Sequence, residues 1–169
     1  VYPLKIFVVL LHEVSHAVAA VATGGSIQRI VLDPNQGGAT YTLGGSAFLT
    51  LSAGYLGSLG WGALMVEAAR ARRIRSDLVN GAVGGLVVAL TLLFVRNLFG
   101  LAFGTLFGLV LVGASRKLSV AANRSLLLTL GLTSSLYAIL DIKSDVLDRP
   151  PRESDAHMLA DLTGIPTVA

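Results

Sequence analysis

His12-Glu13-Val14-Ser15-His16 carries the spacing with the most chemistry in this chain. On a helix, residues four apart face the same way, so both imidazoles can reach one metal ion. Glu13 stands beside that pair, where its carboxylate can take a proton from water held at the metal. Zinc suits such a site. It accepts neutral nitrogen and carboxylate ligands in tetrahedral geometry and lowers the pKa of its water to about 7. The chain has no cysteine, which excludes thiolate metal sites, disulfides and a cysteine nucleophile. Three ionisable residues within five positions of an apolar helix are costly in lipid, and that cost marks them as functional candidates. The alternatives are histidines hydrogen-bonded within a bundle, or a metal held without catalysis.

Two histidines leave a catalytic metal short of a third protein ligand. Without cysteine, that ligand has to be His157 or a carboxylate. Six of the ten acidic residues follow position 140: Asp141, Asp145, Asp148, Glu153, Asp155 and Asp161. Asp141 is the most informative, because it ends the apolar run Leu136-Tyr137-Ala138-Ile139-Leu140. A carboxylate buried there is costly unless paired or metal-bound, although a helix end in headgroup water is also open to it. Asp145, one turn on, is an alternative ligand or a partner to one. Asp155 and His157 remain further alternatives.

The elements that position these residues are set by a shortage of charge. Of 169 residues, 53% are hydrophobic and 14% charged, and the mean hydropathy is +0.72. An ordinary soluble domain carries about 25% charged residues. The shortage excludes a disordered chain, a coiled coil and a nucleic-acid-binding tail, and it disfavours a soluble enzyme. We therefore expect an all-α membrane protein of about five transmembrane helices. The apolar segments run over 4–22, 46–66, 78–95, 98–115 and 125–140. No cleavable signal peptide is expected, because no small-residue cleavage site follows the first segment.

Small residues repeat every four positions: Gly54, Ser58 and Gly62; Gly100, Gly104 and Gly108; Gly81 and Gly85. Such stripes let helices approach closely in lipid, and packing alone explains them. Basic residues orient the bundle. Arg70, Arg72, Arg73, Arg75, Arg116, Lys117, Arg124 and Lys5 fall on the expected cytoplasmic side, against five on the other. Between the first two segments, Ile27 to Leu32 has β-branched character and leads into the turn Asp33-Pro34-Asn35-Gln36-Gly37-Gly38. Thr40-Tyr41-Thr42 supplies a second strand, so a small β-hairpin is expected at or in the membrane. Its edges have to sit against protein, water or an extended ligand. After Pro150-Pro151, the stretch from Glu153 to Leu162 reads as a short amphipathic helix capped by Ser154. The expected division is a membrane-embedded core over 1–148 and an interfacial tail over 149–169.

At these residues the sequence resembles the site-2 protease family of intramembrane zinc metallopeptidases, in particular its compact branch. The resemblance rests on Leu11-His12-Glu13-Val14-Ser15-His16-Ala17, Thr23-Gly24-Gly25 and Gly37-Gly38-Ala39-Thr40. It continues through Ala53-Gly54-Tyr55-Leu56-Gly57-Ser58, Leu140-Asp141-Ile142, Ser154-Asp155-Ala156 and Thr163-Gly164-Ile165-Pro166. It implies His12 and His16 as zinc ligands, Glu13 as general base, and a late-helix aspartate, Asp141, as third ligand. In the wider family that aspartate precedes glycine; here it precedes Ile142. The resemblance also implies that the strand Ile27, Gln28, Arg29, Ile30, Val31 and Leu32 pairs with an unwound substrate helix.

One measure of depth sets a condition. His12 lies about 12 Å along its helix from Leu4, and Asp141 about 24 Å from Ser125. The two meet only if the fifth helix is offset, tilted or broken. The expected function is a zinc metalloendopeptidase cleaving a membrane-spanning substrate segment, multi-pass in the plasma (inner) membrane, with lipid and no nucleic acid as partners. A metal-binding transporter and a catalytically idle scaffold of the same fold are the competing readings. No oligomeric state follows from the sequence.

Overall fold

The computed structural model describes residues 2–147 and 154–166. Six helices and one hairpin follow in order: α1 (Tyr2–Ala22), β1 (Ser26–Asp33), β2 (Gly37–Leu43), α2 (Ala47–Arg70), α3 (Ser76–Phe94), α4 (Leu98–Lys117), α5 (Val120–Leu147) and α6 (Asp155–Thr163). The first five helices are each long and apolar enough to cross a membrane. The expected division at 148/149, Pro150-Pro151 and Glu153 lie outside the described residues.

Helix α1 is apolar around most of its circumference, and such a helix belongs in the interior. Ile6, Phe7 and Val8 are wholly buried in the core, with Leu10, Leu11 and Val14 beside them. The outer faces of α2 to α5 instead carry exposed leucines such as Leu56, Leu64, Leu92 and Leu106, as a lipid-facing surface requires. Helices α2 and α5 pack closely, and the Ser134 hydroxyl donates to the Ser58 carbonyl at 2.7 Å. Helices α3 and α4 form a hairpin whose backbones nearly touch at Gly84 and Gly108. A Cβ on either would lie 2.7 Å from the other's carbonyl oxygen. The α3 stripe is therefore Gly81 with Gly84, since Gly85 faces open space.

Buried polar side chains fix the ends of the bundle. Asn80 Nδ2 donates to the Asn123 carbonyl and side-chain oxygens at 2.8 and 2.9 Å. That bond joins the start of α3 to the start of α5 and gathers the two basic connections at one end. On α4, Phe99, Phe103 and Phe107 stack in a ladder that ends on Phe7 of α1, with ring centroids 5.0–6.1 Å apart.

The hairpin pairs antiparallel from Ser26↔Leu43 to Asp33↔Gly37, with an irregularity between Ile27 and Arg29. It packs against α1 along both strands. Ile30 and Leu32 point into the core. The other edge of β1 meets the α3–α4 connection. Val95 bridges Ile30 in parallel, and Arg96 N–H donates to the Ile30 carbonyl at 3.0 Å. Asn97 then copies a strand: its side chain accepts from Leu32 N–H at 3.1 Å and donates to the Leu32 carbonyl at 2.7 Å.

Helix α5 begins five residues before its expected start and runs seven beyond its expected end. The polar residues Asp141 and Asp145 do not stop it, because α1 and α2 supply a polar cavity beside them, and Lys143 is exposed.

Candidate active site

Helix α1 presents His12 and His16 one turn apart on one face, with their rings nearly perpendicular and their centroids 4.6 Å apart. Helix α2 supplies the floor at Gly54. A Cβ there would fall 2.5 Å from His12 Nε2 and 2.6 Å from His16 Cε1, so only glycine leaves both rings their place. Thr50, one turn earlier, accepts a hydrogen bond from His16 Nδ1 through its backbone carbonyl at 2.7 Å. That bond assigns the Nδ1 proton and leaves Nε2 to face the site.

The opposing group comes from α6. Asp155 Oδ2 lies 2.9 Å from His12 Nε2 and 3.0 Å from His16 Nε2. Among the described residues, the ligand atoms of His12, His16 and Asp155 all lie within 4.8 Å of one another. Burial opposes ionisation of the Asp155 carboxyl, but its hydrogen bonds with the two imidazoles outweigh burial and hold it well below the usual carboxylate range. Two imidazoles and one carboxylate form a donor set of the kind a catalytic zinc uses. Tetrahedral bonds of about 2.0–2.1 Å place ligand atoms about 3.3 Å apart, so Asp155 Oδ2 need draw back from each Nε2 by only a few tenths of an ångström. The residues fit the metal.

Glu13 is buried beside the histidines and is held by β2. The Thr40 hydroxyl lies 2.7 Å from Glu13 Oε2 and 2.9 Å from the Glu13 backbone carbonyl. Gly38 leaves room for the same carboxylate: a Cβ there would lie 2.6 Å from Oε1. These groups wall a cavity of about 850 Å³, shared with Asp141 and Asp145. Ser15 donates back to the Leu11 carbonyl, and Ser52 lines a separate groove between α1 and α2.

The structure thus brings His12, Glu13 and His16 together, and it places Asp141, His157 and the strand Ile27 to Leu32 outside the group that the histidines form with Asp155. Asp141 lines the cavity but does not belong to the His12–His16–Asp155 group. The depth mismatch is resolved by a separate short helix, so no ligand from α5 has to reach His12. His157 turns away, its Nδ1 2.8 Å from the Ser154 hydroxyl. The strand Ile27 to Leu32, expected to receive substrate, has its outer edge occupied at Ile30 and Leu32 by Val95, Arg96 and Asn97. Among the described residues, no strand pairs with the other edge of β2. Because Ile30 and Leu32 direct their backbone groups away from β2, their partners Thr40 and Gly38 direct theirs away from β1. Both line the cavity, as does Thr42.

Sequence reasoning left Gly54 as a packing residue and did not single out Thr40. A glycine inside a strand marks a close approach of other atoms, but Gly38 read as part of the turn, and the structure shows the approaching group to be the Glu13 carboxylate.

No curated protein and no solved structure matches the chain. The family model described as Peptidase M50B-like matches residues 1–169, the whole sequence. With five long apolar helices and a membrane protease family model over its whole length, this is an integral membrane protein, and the chain belongs to the peptidase M50B-like family.

Proposed function

We propose that the chain is an intramembrane zinc endopeptidase that hydrolyses a peptide bond of a membrane-spanning substrate. The observation that carries this reading is the convergence of His12, His16 and Asp155 beside the Glu13 carboxylate. In it, the two Nε2 atoms and Asp155 Oδ2 hold zinc. Bound zinc supplies the Lewis acidity that polarises the scissile carbonyl and acidifies water. Glu13 takes a proton from the attacking water and delivers it to the leaving amine as the C–N bond breaks. Thr40 engages Oε2, which leaves Oε1 as the basic oxygen.

The substrate, once unwound, adds as a third strand along β2. Gly38, Thr40 and Thr42 offer it backbone N–H and C=O groups, replacing the bonds its own helix gives up. The cavity supplies the water that hydrolysis consumes.

Metal analysis combined with a Glu13→Gln variant tests this. In liposomes carrying a membrane-spanning substrate, the variant should keep about one zinc per chain and lose cleavage. Cleavage at the wild-type rate by the variant, or a zinc-loaded wild type inert on every membrane-spanning substrate, would overturn the reading. Metal transport retained by the variant would favour a permeation site instead.

A further inference from the structure

A polar chain runs from α2 to the residue preceding Asp155. Tyr55, next to Gly54, is nearly buried, and its ring meets the edge of the His12 imidazole at 5.3 Å. Its hydroxyl donates to Asp145 Oδ2 on α5, a residue 2% exposed. The backbone carbonyl of Asp145 accepts in turn from the Ser154 hydroxyl at 3.2 Å. Ser154 is the N-cap of α6, and its oxygen also accepts from His157 N–H at 3.3 Å. Asp155 is the first residue of that helix.

We propose that Tyr55 is a positioning residue for the metal centre. Its ring braces His12 from one side, and its hydroxyl, through Asp145 and Ser154, sets where α6 presents Asp155. The proposal rests on the zinc reading above and adds a residue that touches neither metal nor substrate. The physical reason is geometric. A helix of nine residues has little packing of its own to hold it. A carboxylate placed an ångström too far from two fixed imidazoles makes a poor third ligand. The contacts of Tyr55 link the His12 side of the site to the Asp155 side, so one residue sets the spacing between them.

The test uses the full chain in detergent micelles with Zn²⁺ and Co²⁺ as probes, the visible spectrum of Co²⁺ reporting the coordination geometry. Helix content by circular dichroism is measured alongside. Tyr55→Phe should bind metal about 10–100-fold more weakly, as loss of a supporting hydrogen bond does at other sites, and should weaken the tetrahedral Co²⁺ bands. Ser154→Ala should act in the same direction. Because the two residues lie in series, the double variant should bind within about threefold of the weaker single one. Asp145→Ala removes the acceptor of the Tyr55 hydroxyl and should weaken metal binding about as much as Tyr55→Phe does. A folded Tyr55→Phe with wild-type affinity and spectrum would overturn the proposal, as would fully additive losses in the double variant. If Tyr55→Phe loses helix content, Asp145→Ala decides: a folded variant with weakened metal binding supports the proposal, and one with wild-type binding overturns it. A wild-type chain that binds neither metal removes the zinc reading itself, which separates that failure from this one.

Discussion

Gly38→Ala is the sharpest perturbation of the base. Gly38 lies in β2 with an ordinary backbone conformation, so alanine costs the strand little. The added Cβ would stand 2.6 Å from Glu13 Oε1, 2.8 Å from Cγ and 2.9 Å from Cδ. Ordinary contact begins at 3.4 Å, so the carboxylate has to retreat by about 0.8 Å. Misplacing a reacting group by about 1 Å costs on the order of 100-fold in rate, or about 2.7 kcal/mol of barrier. His12 and His16 are not among the atoms that this Cβ meets. The expected result is therefore a kcat lowered about 100-fold with zinc content unchanged. Gly37→Ala, whose Cβ would meet only Asp33 Cβ at 3.8 Å, is the matched control. Initial rates on a reconstituted membrane-spanning substrate, with zinc determined on the same samples, make the measurement. A Gly38→Ala protein as fast as the Gly37→Ala control would refute the reasoning that the position of Oε1 limits the reaction.

Gly54→Ala should give the reverse phenotype, because its Cβ meets the two imidazoles: zinc affinity falls at least about 10-fold, measured by chelator competition. Asp155→Asn should lower zinc content while Asp141→Asn leaves it near wild type; equal losses would return Asp141 to the ligand set. Thr40→Val removes the hydroxyl beside Glu13 Oε2 and should slow cleavage about 10-fold with zinc retained, read as kcat against KM. Asn97→Ala strands the N–H and C=O of the buried Leu32 and should destabilise the fold by about 2–4 kcal/mol, measured by denaturant titration in micelles.

The helices were legible because lipid imposes one simple requirement, a long uncharged run, and four of the five segments have ends within about four residues of those expected. The fifth segment was ended at Leu140, where the apolar run stops and Asp141 needs a partner, a metal or headgroup water. A cavity inside the bundle removes that need, and no property of the α5 sequence announces the cavity. The pair His12 and His16 was legible for the same local reason, since helical periodicity alone brings them together. Asp155 was one of several acids because its contact with His12 spans 143 residues. Nothing local distinguishes Asp155 from Asp141, which has the more apolar neighbours. The direction of the hairpin shows the same limit. Both strands were readable from β-branched residues and turn chemistry, but which edge stays open depends on Asn97, in a connection that read only as a helix break.

The 143-residue separation between His12 and Asp155 also has a consequence for biosynthesis. At about 5–20 residues per second, roughly 7–30 s pass between synthesis of the two residues. During that interval the first helix is already available for insertion, with both histidines and Glu13 in place and no carboxylate facing them. The nascent chain therefore passes through the translocation machinery, among other unfolded membrane segments, before the His12–His16–Asp155 group can assemble. That group is complete only with α6, after the five spans have been made.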